Sequence, residues 1–224
     1  MATIHRISAG RTVDYPTSDG RPMAETDVHR DDMVDLIGTL QDRFADDPDV
    51  YVSGNLLLFY EEGNKRKHVS PDVFLVRGVS KGRRDYYLLW KEGKGPDMVI
   101  ELTSKTTKEE DEEKKRDLYR DLLKVPEYFQ FDPTEDYLKP PMQGHRLIEG
   151  QYVPIAPVAG RLPSVVLGLH LERDGLELRL VDPATGRRLP TRNENAAARL
   201  EAEAENERLR REIEVLRRRL SGEP

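Results

Sequence analysis

With 224 residues, of which 37% are hydrophobic and 35% charged, the chain is long enough for one well-buried domain plus an appendage, but too polar for all of it to be core. The absence of cysteine excludes disulfides and thiolate metal sites, and the five histidines (His5, His29, His68, His145, His170) show no paired spacing that would suit zinc. A net charge of -6 does not by itself advertise nucleic-acid binding, no apolar run reaches the length of a membrane span, and the N-terminus lacks a signal-peptide core, so the expectation is a cytoplasmic protein with no membrane contact.

Residues 1–29 mix Gly, Thr, Asp, Pro and His without periodicity and predict an irregular arm. Over residues 30–45, Met33, Leu36, Ile37, Leu40 and Phe44 fall at helical spacing, which predicts an amphipathic helix covering a core. Tyr51 and Val52, then residues 56–60, predict a strand ending at the turn 61–64. Residues 68–76 predict a second strand with Asp72 near its start, residues 86–90 a short one, and residues 98–102 a third. The clusters Lys65-Arg66-Lys67 and Lys81-Gly82-Arg83-Arg84, with Lys91 and Lys94, bracket this stretch. They leave open a local basic rim for nucleic acid, carried by Lys65, Arg66, Lys67, Arg83 and Arg84.

Glu101 stands out within Met98-Val99-Ile100-Glu101-Leu102, because an unpaired carboxylate in a buried strand is costly and calls for a cation. From Thr106 or Thr107 a helix is predicted to about Leu123, with Thr107 and Glu110 as a capping box and acids preceding bases as the helix dipole prefers. At 100° per residue Lys115 falls on the same face as Leu118, Tyr119 and Leu122, the face that packs on the sheet, whereas Lys114 is rotated away. Lys115 therefore either snorkels past the edge or directs its ammonium at a buried anion. Asp97, in the turn Gly95-Pro96-Asp97, reads as a turn residue.

Residues 127–131 predict the next strand, and residues 134–190 short strands and turns, with 169–173 and 176–181 alternating as a hairpin that covers one face. In the tail, Ala202, Leu209, Ile213, Leu216 and Leu220 follow a 4-3-4 spacing. With Leu209 and Leu216 at d, Asn206, Ile213 and Leu220 fall at a, Glu205 and Glu212 at g, and Arg210 and Arg217 at e. A parallel pair of such helices would match Glu205 with Arg210 and Glu212 with Arg217 of the other copy, which predicts a homodimer through residues 195–224. The competing arrangement is a single helix folded back on its own domain.

Two strand carboxylates, Asp72 and Glu101, suit a Mg²⁺ ion that neutralises a phosphodiester and acidifies its bound water, and a nearby lysine can orient that water or stabilise developing charge. The blocks 70–76, 96–104, 115–119 and 125–129 resemble, in order, the Uma-type family of restriction endonucleases within the PD-(D/E)XK nuclease superfamily. The resemblance implies an α/β fold: a restriction-endonuclease-like core, in which a mixed sheet is flanked by helices, over residues 30–190. An arm (1–29) and a C-terminal coiled-coil helix (191–224) complete the domain plan. It further implies Asp72 and Glu101 as ligands of Mg²⁺ or Mn²⁺, Lys115 as the basic partner, Ser104, Tyr119 and Tyr128 as site-supporting residues, and DNA as the substrate. One departure stands out. The superfamily lysine two residues after the acid is replaced by Thr103, so its role passes to Lys115 or to Lys105, and Lys115 is preferred because a cation at the helix start would oppose the dipole. The alternative is a catalytically inactive module that keeps the fold to bind nucleic acid or regulate, dimerising through its coil.

Overall fold

The computed structural model describes residues 15–18, 26–103 and 109–221. In chain order the elements are α1 (Asp27–Arg43), β1 (Val50–Ser53), β2 (Leu58–Phe59), β3 (His68–Val69), β4 (Val73–Arg77), β5 (Tyr87–Leu88), the one-turn α2 (Leu89–Glu92), β6 (Met98–Leu102) and α3 (Glu109–Asp117). A π-helical turn (Leu118–Leu122) continues α3, and β7 (Glu127–Phe131), β8 (Met142–Ile148), β9 (Gln151–Pro154), β10 (Leu162–Ser164), β11 (Leu169–Asp174), β12 (Glu177–Val181) and α4 (Arg192–Ser221) follow.

An apolar run of β-branched and long aliphatic residues can lie in a sheet only where both faces are covered, and every residue of β6 is buried. It sits inside a six-stranded sheet of order β1-β4-β6-β7-β8-β9, paired in parallel with β7 and antiparallel with β4. Met98, Ile100 and Leu102 face a core shared with Met33, Leu36 and Leu40 of α1 and with Leu171, Leu178 and Leu180 of the three-stranded sheet β10-β11-β12. Val99 faces the other way, into a second core with Phe74, Val76, Tyr119, Leu123 and Tyr128, closed by Leu58, Val69 and Tyr87 of the sheet β3-β2-β5. Each such side chain removed from water contributes on the order of 1.5–3 kcal/mol, so this double coverage holds β6 in place. The mixed sheet flanked by helices and the long C-terminal helix agree with the expected fold class. No helix among the described residues is long and apolar enough to cross a membrane.

The one strand expected over Tyr51, Val52 and residues 56–60 is two, β1 in the six-stranded sheet and β2 in the small one, and four further details depart from the sequence expectation. First, α1 begins at Asp27 rather than residue 30, because the side chain of Thr26 caps it by accepting the His29 N–H at 3.2 Å. Second, residues 68–76 are not one strand. Ser70-Pro71 breaks the run, β3 joins the small sheet and β4 the large one, and Asp72 lies at the changeover. Third, the helix of Lys115 ends in a π turn, with Leu123 N–H bonded to the Leu118 carbonyl at 3.0 Å. The wider turn shifts the buried face by one residue, so Leu123 is buried and Leu122, expected against the sheet, is 50% exposed. Fourth, β8 and β10 carry too little alternation to have been separated from the surrounding turns. The expected helix start at Thr106 or Thr107 and the Thr107 cap lie outside the described residues.

Asp72 is clamped from behind by backbone. A Cβ added to Gly54 would stand 1.9 Å from the Asp72 carbonyl oxygen, and the neighbouring Asn55 N–H bonds the Pro71 carbonyl at 2.8 Å. Gly54→Ala is therefore expected to destabilise the fold by about 2 kcal/mol or more, measured by urea unfolding, since only backbone movement relieves the overlap. A change under half that size would show that this crossing is not tight.

Candidate functional site

Glu101 shares the face of β6 that carries Val99, under the helix that follows. The β4–β6 register pairs Val73 with Ile100, and one step further sets Asp72 opposite Glu101 on that face. The Asp72 carboxylate accepts the Leu102 N–H at Oδ2 over 2.7 Å, which ties its side chain to the strand bearing Glu101. Among the described residues its other oxygen, Oδ1, accepts no hydrogen bond.

The helix above completes the grouping. Lys115 Nζ donates to Glu101 Oε2 at 2.9 Å, and Tyr119, one turn on, donates its hydroxyl to Oε1 at 2.5 Å. Of the two outcomes open for Lys115, it is thus the ammonium directed at a buried anion that occurs; its side chain stays 23% exposed, against 7% for Glu101. Lys114 is exposed on the far side. Tyr119 is fully buried, and burial together with Glu101 pushes its phenol well up, so it remains a donor. Behind it stands Tyr128, with ring centroids 5.4 Å apart.

The two carboxylates are shifted in opposite directions. Burial raises Glu101 to about 7, with the Asp72 charge adding to the rise and Lys115 and Tyr119 opposing it. Burial would raise Asp72 as well, but the His29 hydrogen bond, the charge of Lys115 and the Leu102 N–H together hold it below the ordinary carboxylate range. A stable anion beside a carboxylate that ionises reluctantly is a pair that a cation would favour.

The donor set fits a hard divalent ion. Mg²⁺ takes one or two carboxylates and keeps several waters, and the described residues hold no cluster of three or more His, Cys, Asp or Glu that would suit a fuller protein cage. Thr103, at the expected lysine position, is 4% exposed and donates its hydroxyl to the Phe131 carbonyl at 3.2 Å, so it ties β6 to β7. Ser104 and Lys105 lie outside the described residues.

Of the basic residues, Lys65, Arg66 and Lys67 are exposed on the β2–β3 turn, in the segment that leads into Asp72, and Arg83 is exposed as well. Arg84 differs. Its guanidinium donates to Glu92 at 2.7 and 2.9 Å and lies 4.1 Å from the Tyr51 ring centroid, so it is spent inside the fold. Asp97 is likewise occupied, accepting the Arg77 N–H at 2.7 Å beside the Lys94 ammonium at 2.8 Å.

Sequence reasoning missed His29. Its Nε2 lies 3.0 Å from the Leu102 carbonyl and 3.4 Å from Asp72 Oδ2. The available signal was the helix start, since Thr26 followed by Asp27 reads as an N-cap and would have moved His29 from the arm onto the first turn.

Residues 2–180 match the model of the Uma2 family, described as "Putative restriction endonuclease". Among solved structures, the chain is similar to a crystal structure described as "a putative nuclease belonging to DUF820 from Anabaena variabilis", at 16% identity and a TM-score of 0.49, covering 69% of this chain and 82% of that one. No curated protein matches.

A carboxylate whose folded pKa exceeds its unfolded one stabilises the fold below the unfolded value, and that contribution is lost as pH rises through the folded value. Without divalent metal, the wild-type melting temperature is therefore expected to fall relative to that of Glu101→Gln as pH is raised from about 5 to about 8. Parallel melting profiles for the two proteins would rule out a strained Glu101.

Proposed function

Because the chain belongs to the Uma2 family of restriction-endonuclease-like proteins, we propose that it is a divalent-metal-dependent endonuclease hydrolysing DNA phosphodiester bonds, with Mg²⁺ or Mn²⁺ held by Asp72 and Glu101. The observation that carries this reading is the meeting of Lys115 and Glu101 at 2.9 Å beside Asp72, three charged groups drawn to one spot from a helix, a strand and the residue that leads into the next strand of the sheet. A bound divalent cation would supply Lewis acidity toward the phosphate and an acidified water.

The remaining work belongs to the side chains. Tyr119 holds Glu101 through Oε1, which orients the carboxylate and leaves Lys115 on Oε2. The Lys115 ammonium is partly exposed, so it can donate to a phosphate oxygen or to the attacking water without leaving the site. It thereby fills the place vacated at Thr103. Tyr128 backs the ring of Tyr119 and acts through it. Lys65, Arg66, Lys67 and Arg83 offer exposed cations to the DNA backbone, whereas Arg84, already paired with Glu92, is not counted among them. The nuclease unit takes in α1 from Asp27 and ends near residue 190, where the first turn of α4 is tied to it through Arg192 with Gln41, Asn195 with Asp42 and Glu194 with Arg179.

Purified protein with Mn²⁺ is expected to nick plasmid or single-stranded DNA, and Asp72→Ala, Glu101→Ala and Lys115→Ala to lower the rate by about a hundredfold or more. No nicking across a range of salt, or equal nicking by Asp72→Ala, would end the enzyme reading. Binding without cleavage would leave an idle nucleic-acid-binding module in its place.

We also propose that α4 pairs with α4 of a second copy as a parallel coiled coil. Leu209, Ile213 and Leu216 are 44%, 48% and 49% exposed along the a/d seam. Of the four e and g charges, Glu205 pairs with Arg208 of its own helix at 3.5 Å, whereas Arg210, Glu212 and Arg217 make no ion pair among the described residues. Two sites in one dimer could address both strands of a duplex. Sedimentation is expected to give a dimer mass for the full chain and a monomer mass after deletion of residues 195–224; a monomer in both cases would refute the pairing.

A further inference from the structure

A single imidazole atom joins the two groups that flank the carboxylate pair. His29 Nε2 lies 3.0 Å from the Leu102 carbonyl oxygen and 3.4 Å from Asp72 Oδ2, while that same Oδ2 accepts the Leu102 N–H at 2.7 Å. A carbonyl oxygen can only accept, so Nε2 carries a proton. The contacts form a closed circuit: the peptide N–H of Leu102 to Asp72, and one N–H of His29 shared between Asp72 and the Leu102 carbonyl. His29 is 5% exposed, and its own backbone N–H is fixed by the Thr26 cap, so the ring projects from the first turn of α1 with little freedom.

A contact meant only to pin α1 to the sheets is already supplied further along by Met33, Leu36 and Leu40, which lie in the core that β6 also faces. The His29 contact falls instead on the residue after Glu101 and on Asp72. We propose that His29 is a positioning residue of the metal site: by holding Oδ2 of Asp72 and the end of β6 together, it sets the rotamer that leaves Oδ1 for the cation. This rests on the reading of Asp72 and Glu101 as metal ligands. Mg²⁺ demands near-ideal geometry, and outer partners that orient ligands typically change metal affinity by about 10–100-fold when removed.

The test is calorimetric titration of Mn²⁺ into the full chain without nucleic acid, comparing wild type with His29→Leu and His29→Gln. Leucine removes the donor, whereas the glutamine amide can donate from a similar place. The expected result is affinity about tenfold or more weaker for His29→Leu and within about threefold of wild type for His29→Gln. Unchanged affinity in His29→Leu, or an equal loss in both variants, overturns the role of His29 while leaving the metal site intact. A wild type that takes up no Mn²⁺ overturns the metal-site reading itself, and this inference with it. In case His29→Leu does not fold, nitrogen-15 spectra of the wild-type imidazole decide: a protonated Nε2 whose signal moves on adding Mg²⁺ is expected, and a bare Nε2 or an unmoved signal overturns the proposal.

Discussion

A carboxylate inside a doubly covered strand must be neutralised where it stands, and the Glu101–Lys115 ion pair is what allows Met98–Leu102 to run through the middle of the sheet. Its demands propagate outward. The lysine has to come from above the sheet, so the connection from β6 to the parallel strand β7 is a helix crossing that face, as parallel pairing requires in any case. The same helix must then bring a hydroxyl to the second carboxylate oxygen and still seal the core beyond it. The π turn reconciles these tasks, keeping Lys115 and Tyr119 in line while presenting Leu123 to the core.

Asp72 is placed by a different device. Proline cannot donate to a ladder, and at Pro71 the chain leaves the small sheet for the large one, so Asp72 falls immediately before β4, between the two sheets. Gly54 crosses directly behind it, the Leu102 N–H fixes it from the front and His29 from the side. A residue held from three directions has little rotamer freedom left to lose on binding a ligand.

The strands and helices that carry strong periodicity were legible. The apolar run of β6, the alternation of β11 and β12, and the 3.6-residue spacing of α1 each record which face is covered, the heptad spacing of the tail records a helix, and the fold class follows from them together with the family blocks. Local exceptions were not legible. The split of residues 68–76 into two sheets hides in an unbroken β-prone run, and the one-residue shift from Leu122 to Leu123 reflects tertiary packing that no 100° count contains. His29 was passed over because metal-site reasoning looks for paired histidines, whereas this one stands singly against a backbone carbonyl and another residue's carboxylate. Arg84 looked like any surface cation, and its pairing with Glu92 and stacking on Tyr51 exist only once β1, β5 and α2 have come together.

Burial alone does not mark Glu101, since two other acids, one opening the neighbouring strand β7 and one just past its end, are buried more deeply. Glu127, 1% exposed, accepts two hydrogen bonds from Arg146 along with those of Ser164 Oγ and the Val165 and Val166 N–H groups. Asp132, fully buried, accepts from the Thr134 N–H and hydroxyl and from the Tyr137 and Leu138 N–H groups. Both are saturated by donors, and their work is to hold a loop against the sheet. Glu101 receives one ammonium and one hydroxyl, faces a second carboxylate, and keeps a raised pKa in spite of its lysine. What separates Glu101 from these two saturated acids is therefore incomplete satisfaction. The fold spends enough donors on Glu101 to keep it folded and too few to make a further positive charge redundant.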